Sequence, residues 1–236
     1  MPGGVSNLDN AARCWLSEPR LRTYLGVCNA NLSKAMKLYL WNVGLAQAIL
    51  HDVALFEVAL RNAYDRCLCS CWSGDWLLDA GSPVRRPIMR TNRRGNSRDQ
   101  NRINRKTIDA LANGGRSHDW IVSNLTLGFW AHMTDRSHER DLWIPYLHRV
   151  WPKGTSRSVV SQSMSTVNVV RNRAMHHEHL FNPARAELSP MLASKYMEAM
   201  YRDLVPNEFL DAYPECFPFE ISSFVNGHPA PALVNL

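Results

Sequence analysis

Between Arg85 and Lys106 the chain has one acidic residue, Asp99, and no aromatic one, although nine of its 27 lysines and arginines fall there. Elsewhere 18 basic residues face 20 acidic ones, so the net charge of +6 is a local property. Basic residues clustered in this way suit a polyanion. Without aromatics among them they suit phosphates better than stacked bases. A solvated charged loop is the plain alternative. The N-terminus, M-P-G-G-V-S-N-L-D-N, has neither a basic start nor an apolar run, so no secretory leader is expected. The longest apolar helical stretch is interrupted by His51, Asp52, Glu57 and Arg61, which argues against a membrane span. The six cysteines (14, 28, 67, 69, 71 and 216) do not form two ligand pairs at zinc-ribbon spacing. They read as small, mostly buried thiols of a reducing cytoplasm. There is no H-E-x-x-H segment, so neither a metal nor another cofactor is expected.

Strand signals are also scarce, whereas helical periodicity recurs. The 236 residues, 45% hydrophobic and 20% charged, match a soluble globular protein with a substantial core. Leu38, Trp41, Leu45, Ile49, Val53, Phe56, Leu60, Tyr64 and Leu68 step by three or four and predict a helix over 34–71. Similar patterns cover 118–133, 156–175 and 187–204, with shorter helices at 8–17, 19–28 and 140–150. Trp41, Trp130 and Trp143 lie on these stripes and read as core. The reading is all-α, with one domain over 8–204 that includes an Arg-rich loop near 81–106. Five of the 13 prolines fall after residue 205, which predicts an extended tail over 205–236 packed on the surface.

The segment V-V-R-N-R-A-M-H-H-E over 169–178 carries the chemistry. An arginine fork can hold a phosphate, and an imidazole can move a proton near neutral pH. Arg171 and His176 are five residues apart, about 140° around an ideal helix, so they do not converge on one straight helix. Either the helix ends near Asn172–Ala174 or a dimer joins two copies of the motif; we favour the dimer. On the long helix Glu57 and Arg61 are four apart, with Asn62 adjoining. They form either a plain intrahelical ion pair or a second wall, with Glu57 orienting His176 or Arg171. His176 and His179 are three apart, but the H-H-E-H cluster lacks an acidic partner segment, which weakens a metal reading.

Four strings, L-Y-L-W-N at 38–42, F-E-V-A-L-R-N-A-Y at 56–64, N-L-T-L-G-F-W at 124–130 and V-R-N-R-A-M-H-H-E-H at 170–179, resemble the Abi-like (abortive infection, AbiD/AbiF-type) family of bacterial phage-defence proteins. The resemblance runs from roughly Ser17 to Phe181. That family belongs to the HEPN superfamily, marked by an arginine, usually a polar residue, then a histidine four to six positions after the arginine; Arg171, Asn172 and His176 fit it. Where the family usually has a proline after H-H-E, this chain has His179. The resemblance implies a HEPN-like bundle with additional helices, a homodimer with a composite site, and metal-independent endoribonuclease activity in anti-phage defence or as a toxin. An antitoxin or other defence subunit is a further expected partner.

In that reading His176 is the general acid/base, Arg171 the phosphate clamp, Asn172 a positioning group and Glu57 an orienting carboxylate. Asn62, His177 and Glu178 support them. Arg61, Arg85, Arg86, Arg90, Arg93, Arg94, Arg98, Arg102, Arg105, Lys106 and Arg173 are the expected RNA contacts. A non-catalytic RNA-binding or regulatory HEPN module is the alternative.

Overall fold

The computed structural model describes residues 7–236, whose regular elements are helical apart from one two-stranded hairpin. The predicted helices appear as α1 (Asn7–Leu16), α2 (Glu18–Val27), α3 (Leu32–Cys71), α7 (Arg157–Met175) and α8 (Pro190–Leu204). The pattern over 118–133 becomes two helices, α5 (His118–Asn124) and α6 (Leu127–His132), because the chain turns extended at Leu125 and Thr126. The 140–150 pattern is a set of short 3-10 and π turns. Two compact units divide the chain.

The first unit comprises Met1–Asp52, Val169–Lys195 and Phe219–Leu236. Ala12, Leu16 and Leu21 from α1 and α2 pack with Leu25, Leu32, Met36 and Tyr39. Tyr24 is buried with its ring edge-on to both Tyr39 and Phe181, and burial lifts its hydroxyl pKa to about 12. Asn31 starts α3 by accepting the Lys34 N–H at 2.9 Å, an N-cap arrangement.

The tail is a correction. Residues 205–236 are not extended throughout; they include α9 (Asn207–Ala212) and α10 (Glu220–Gly227). The physical reason is where the prolines fall: Pro206 sits at the N-cap of α9 and Pro218 just ahead of α10, positions that need no proline N–H. Nor is α10 a loose surface element. Ile221 is fully buried, and Asp52 of α3 accepts the Glu220 and Ile221 N–H groups, both at 2.9 Å, serving as a cap supplied from another helix. Trp41 Nε1 donates to the His228 carbonyl at 2.6 Å. The Phe224 ring lies so near Gly44 that a β-carbon there would approach it to 2.7 Å, which accounts for a glycine inside α3. Beyond α10, Asn182 and Asn235 exchange two hydrogen bonds.

The second unit comprises Val53–Asn168 and Tyr196–Pro218. Its core holds the fully buried Trp76, Trp130, Tyr64, Leu60 and Leu68. Aromatic edges meet faces between Trp76 and Trp130 and between Phe129 and Trp130. Trp151 donates to the Tyr64 hydroxyl at 3.3 Å. Trp41 in the first unit and Trp130 and Trp143 in the second are buried, as their periodicity predicts.

The Arg-rich segment is a second correction. Instead of a loop it forms a hairpin, β1 (Met89–Thr91) against β2 (Ser97–Asp99), followed by α4 (Arg102–Ala112). Two exposed three-residue strands would be marginal alone. Asp99 and Asn101 anchor them: Asp99 accepts the Ile88 and Asn101 N–H groups, and Asn101 donates to the Val84 and Arg86 carbonyls.

By length and composition α3 is apolar enough to cross a membrane. Its apolar stripe from Leu38 to Leu68 is buried within the fold, as expected of a bundle's core helix.

Candidate functional site

The motif lies where α7 ends. The helix runs through Met175, and the His176 N–H still bonds the Asn172 carbonyl at 2.9 Å. The next two amides turn back, His177 to the Ala174 carbonyl at 3.1 Å and Glu178 to the Arg173 carbonyl at 3.0 Å. This double closure is a Schellman motif with His177 at the left-handed position, φ 55°. Glycine is the usual residue there, because a side chain strains that conformation. The helix therefore does not end near Asn172–Ala174, between Arg171 and His176, but runs through Met175 and turns back only after His176.

The four histidine and arginine side chains of the segment diverge in role. Arg171 is half-buried, and its Nη1 donates to the neighbouring Asn172 Oδ1 at 3.1 Å. His176 is exposed just beyond the helix. Arg173, expected as a surface RNA contact, is only 8% exposed. Its Nη1 donates to the Leu188 carbonyl at 2.9 Å, its Nη2 to the His179 carbonyl, and its Nε to Glu178 Oε2 at 3.2 Å. Arg173 is a structural clamp on the chain leaving α7. Its position explains this: it falls one residue from Ala174 on the buried side of the helix.

Asn42 holds the same departing chain from the other direction. Its amide donates to the Glu178 carbonyl at 3.1 Å and accepts the Leu180 N–H at 2.8 Å. Asn42 and Asp52 were missed as structural determinants in the sequence. The available signal was a polar residue at a position on or beside the apolar stripe, where burial demands a fixed partner.

Glu57, Arg61 and Asn62 belong to the second unit, whereas Arg171, Asn172, His176, His177 and Glu178 belong to the first. Glu57 is partly exposed on α3, Asn62 is exposed, and Arg61 Nη1 donates to the Ser123 carbonyl at 3.3 Å. The carboxylate of Glu178 takes the Arg173 ion pair, and the service of His177 is its backbone turn. His179 lies beyond that turn, off the helix, with its ring 5.3 Å from Phe181; burial and the Arg173 charge pull its pKa down.

The basic segment also splits. Arg85 pairs with Asp109 and donates to the Leu77 carbonyl. Arg105 pairs with Asp99, and Arg86 donates to the Gly81 carbonyl beside the Trp72 ring. Arg90, Arg93, Arg94, Arg98, Arg102 and Lys106 are exposed, and among the described residues their side chains have no hydrogen-bond or ion-pair partner.

One set of potential metal ligands occurs among the described residues: Asp65, Cys69 and His118, with ligand atoms within 4.8 Å of one another. Asp65 Oδ1 accepts from His118 Nε2 at 2.7 Å, Trp76 Nε1 at 2.8 Å and Cys69 Sγ at 3.5 Å. Three donors meeting at one oxygen account for that convergence. Burial pushes the Cys69 thiol up to about 11.

Compared with protein-family models, curated proteins and solved structures, the chain matches none.

Proposed function

We propose that the chain is a metal-independent endoribonuclease of HEPN type, in which the 2′-hydroxyl attacks the neighbouring phosphate and leaves a 2′,3′-cyclic phosphate and a 5′-hydroxyl. The supporting observation is the end of α7: Arg171 on its last turns, with His176 exposed at the cap. Arg171 would hold the scissile phosphate and oppose the charge gained in the phosphorane, while Asn172 positions a phosphate oxygen. His176 would move the proton between the nucleophile and the leaving oxygen. The spacing of the pair supports a homodimer in which two motifs complete one site. The reading places the chain in the cytoplasm as an anti-phage effector or toxin, restrained by an antitoxin or another defence subunit.

The deciding experiment incubates purified protein with total RNA in EDTA beside Arg171→Ala and His176→Ala. Cutting by the wild type alone, with cyclic-phosphate ends, is expected. Equal cutting by all three would put the site elsewhere. The second reading, an RNA-binding module without catalysis, is favoured by the six unpartnered cations of the basic segment, which lie in the other unit. Binding without cutting by all three proteins would select it.

A further inference from the structure

A hollow of about 470 Å³ in the second unit is lined by Arg98 at the end of the hairpin, Arg102 and Lys106 one turn apart on α4, and His132 closing α6. That volume lies within the usual range for small-ligand pockets. Its one acid, Asp99, is already satisfied by two backbone N–H groups and by Arg105 at 2.6 Å. Burial alone would lift the Asp99 pKa, but those bonds outweigh it and hold the carboxylate below its ordinary value.

His132 is wired as a cation. Its Nδ1 faces Asp135 Oδ2 at 2.5 Å and its Nε2 faces the Gln100 carbonyl at 3.3 Å. A carboxylate and a carbonyl only accept, so both bonds form together only when each ring nitrogen carries a proton. The ring keeps 26% of its side-chain surface exposed and is part of the lining of the hollow. Behind it His138, 4.9 Å away edge to face, is driven by burial to about 4 and stays neutral, so it does not compete for that charge. On the hairpin, Arg90 stands directly opposite Arg98, a like-charge cross-strand pair that costs stability unless an anion offsets it.

We propose that this hollow binds a phosphate group, either free or carried on a polynucleotide, through Arg98, Arg102 and Lys106 with His132 as a fourth positive charge. The proposal extends the RNA reading of the basic segment but does not need Arg171 and His176 to be catalytic. Asp135, first through its hydrogen bond and then through its charge, raises the His132 pKa against the effect of burial. The proton is therefore held to higher pH than on an ordinary imidazole, and phosphate affinity falls as pH rises through that raised value. Asp99 and His138 change charge at lower pH and do not shape that window.

The test measures binding of inorganic phosphate and of a 2′-O-methyl oligonucleotide with no terminal phosphate, which cannot be cut by 2′-hydroxyl attack and does not titrate near neutrality. The proteins are wild type, Arg102→Gln/Lys106→Gln and His132→Asn. The double variant alters two exposed side chains, so its fold is not at risk, and thermal melting checks all three. The double variant should lose about tenfold or more in oligonucleotide affinity, with a salt slope shallower by about 0.7 per lost contact. Between about pH 6 and 9, wild-type affinity should fall while that of His132→Asn stays low and flat. Binding of both probes, each weakened in the double variant, supports a phosphate site open to either source. Oligonucleotide binding alone assigns it to the polymer, and phosphate binding alone to the small ion. Binding to neither probe, equal binding by wild type and double variant, or the same pH profile in His132→Asn overturns the proposal. RNA cutting in EDTA reports separately on Arg171 and His176, so either reading can fail while the other stands.

Discussion

Two arginine-bearing segments, 171–180 and 85–106, offer the same kind of RNA handle in sequence, yet the structure treats them in opposite ways. The first is wired closed. Arg173, Asn42 and the Schellman turn hold the backbone of the chain leaving α7, while Arg171 stays half-buried and His176 exposed. The second is held by two anchors, Asp99 and Asn101, and leaves six cations projecting from a hairpin and one helical face. Arginine count is therefore a poor measure of what a segment can bind. Burial and carbonyl partners decide whether a guanidinium serves the fold or a ligand.

The strongest way to break this comparison is to exchange the fates of Arg171 and Arg173. Arg173→Ala strands the Leu188 and His179 carbonyls and removes the ion pair to the half-exposed Glu178 carboxylate, so it should cost about 3 kcal/mol in urea unfolding. Arg171→Ala, two residues away, should cost under about 1 kcal/mol, because it removes one half-buried bond to Asn172. If the two losses are equal, the assignment of Arg173 to the fold and Arg171 to the ligand is wrong.

Asp52 sharpens the same point for a carboxylate. Asp52→Ala removes the cap of α10 and leaves two N–H groups unpaired, a loss of about 2 kcal/mol. Burial raises the Asp52 pKa despite those two N–H groups and His51. With its folded value raised, the stability linked to this group is fully present below the ordinary carboxylate pKa and is lost as pH rises through the folded value. Asparagine carries no such titration. The deficit of Asp52→Asn against wild type should shrink as pH rises from the ordinary carboxylate pKa, about 4, through the raised folded value. A deficit that grows over that range would reverse the sign of the shift.

How much of this was legible follows from where the signals lie. The long helices were, since Leu38 to Leu68 and Val160 to Val170 repeat at helical spacing and are buried. The end of α7 was not, because His177 occupies a left-handed site where glycine would have announced the turn. The hairpin was also hidden: its strands are three residues each, wholly or mostly exposed, and without the alternation of a half-buried sheet. The Arg171–His176 pair was visible as types at a spacing, whereas the role of Arg173 needed the Leu188 carbonyl, fifteen residues away. The imidazolium geometry of His132 required Gln100, which no local pattern links to it.

A smaller effect probes the turn. His177→Gly should stabilise the fold by about 0.5–1 kcal/mol, since it relieves the side-chain strain of φ 55° while keeping both backbone bonds of the Schellman motif. RNA cutting should survive this change if His177 serves only through its backbone. A stabilised but inactive variant would mean that the imidazole itself belongs to the site.

The least change in stability is expected at the tip of the hairpin. Arg93 and Arg94 occupy the turn between β1 and β2, where Asn92 Oδ1 accepts the Arg94 and Asn96 N–H groups and Gly95 takes φ 80°. The turn is thus fixed by Asn92 and Gly95, not by the arginine side chains. Arg93→Gln/Arg94→Gln should therefore move the unfolding free energy by less than about 0.5 kcal/mol. Their exposed charges still contribute to any polyanion bound along the hairpin, so the salt dependence of single-stranded RNA binding should flatten by about 0.7 per lost phosphate contact. An unchanged slope would confine the binding surface to Arg90, Arg98, Arg102 and Lys106, and would make the open array narrower than its exposure suggests.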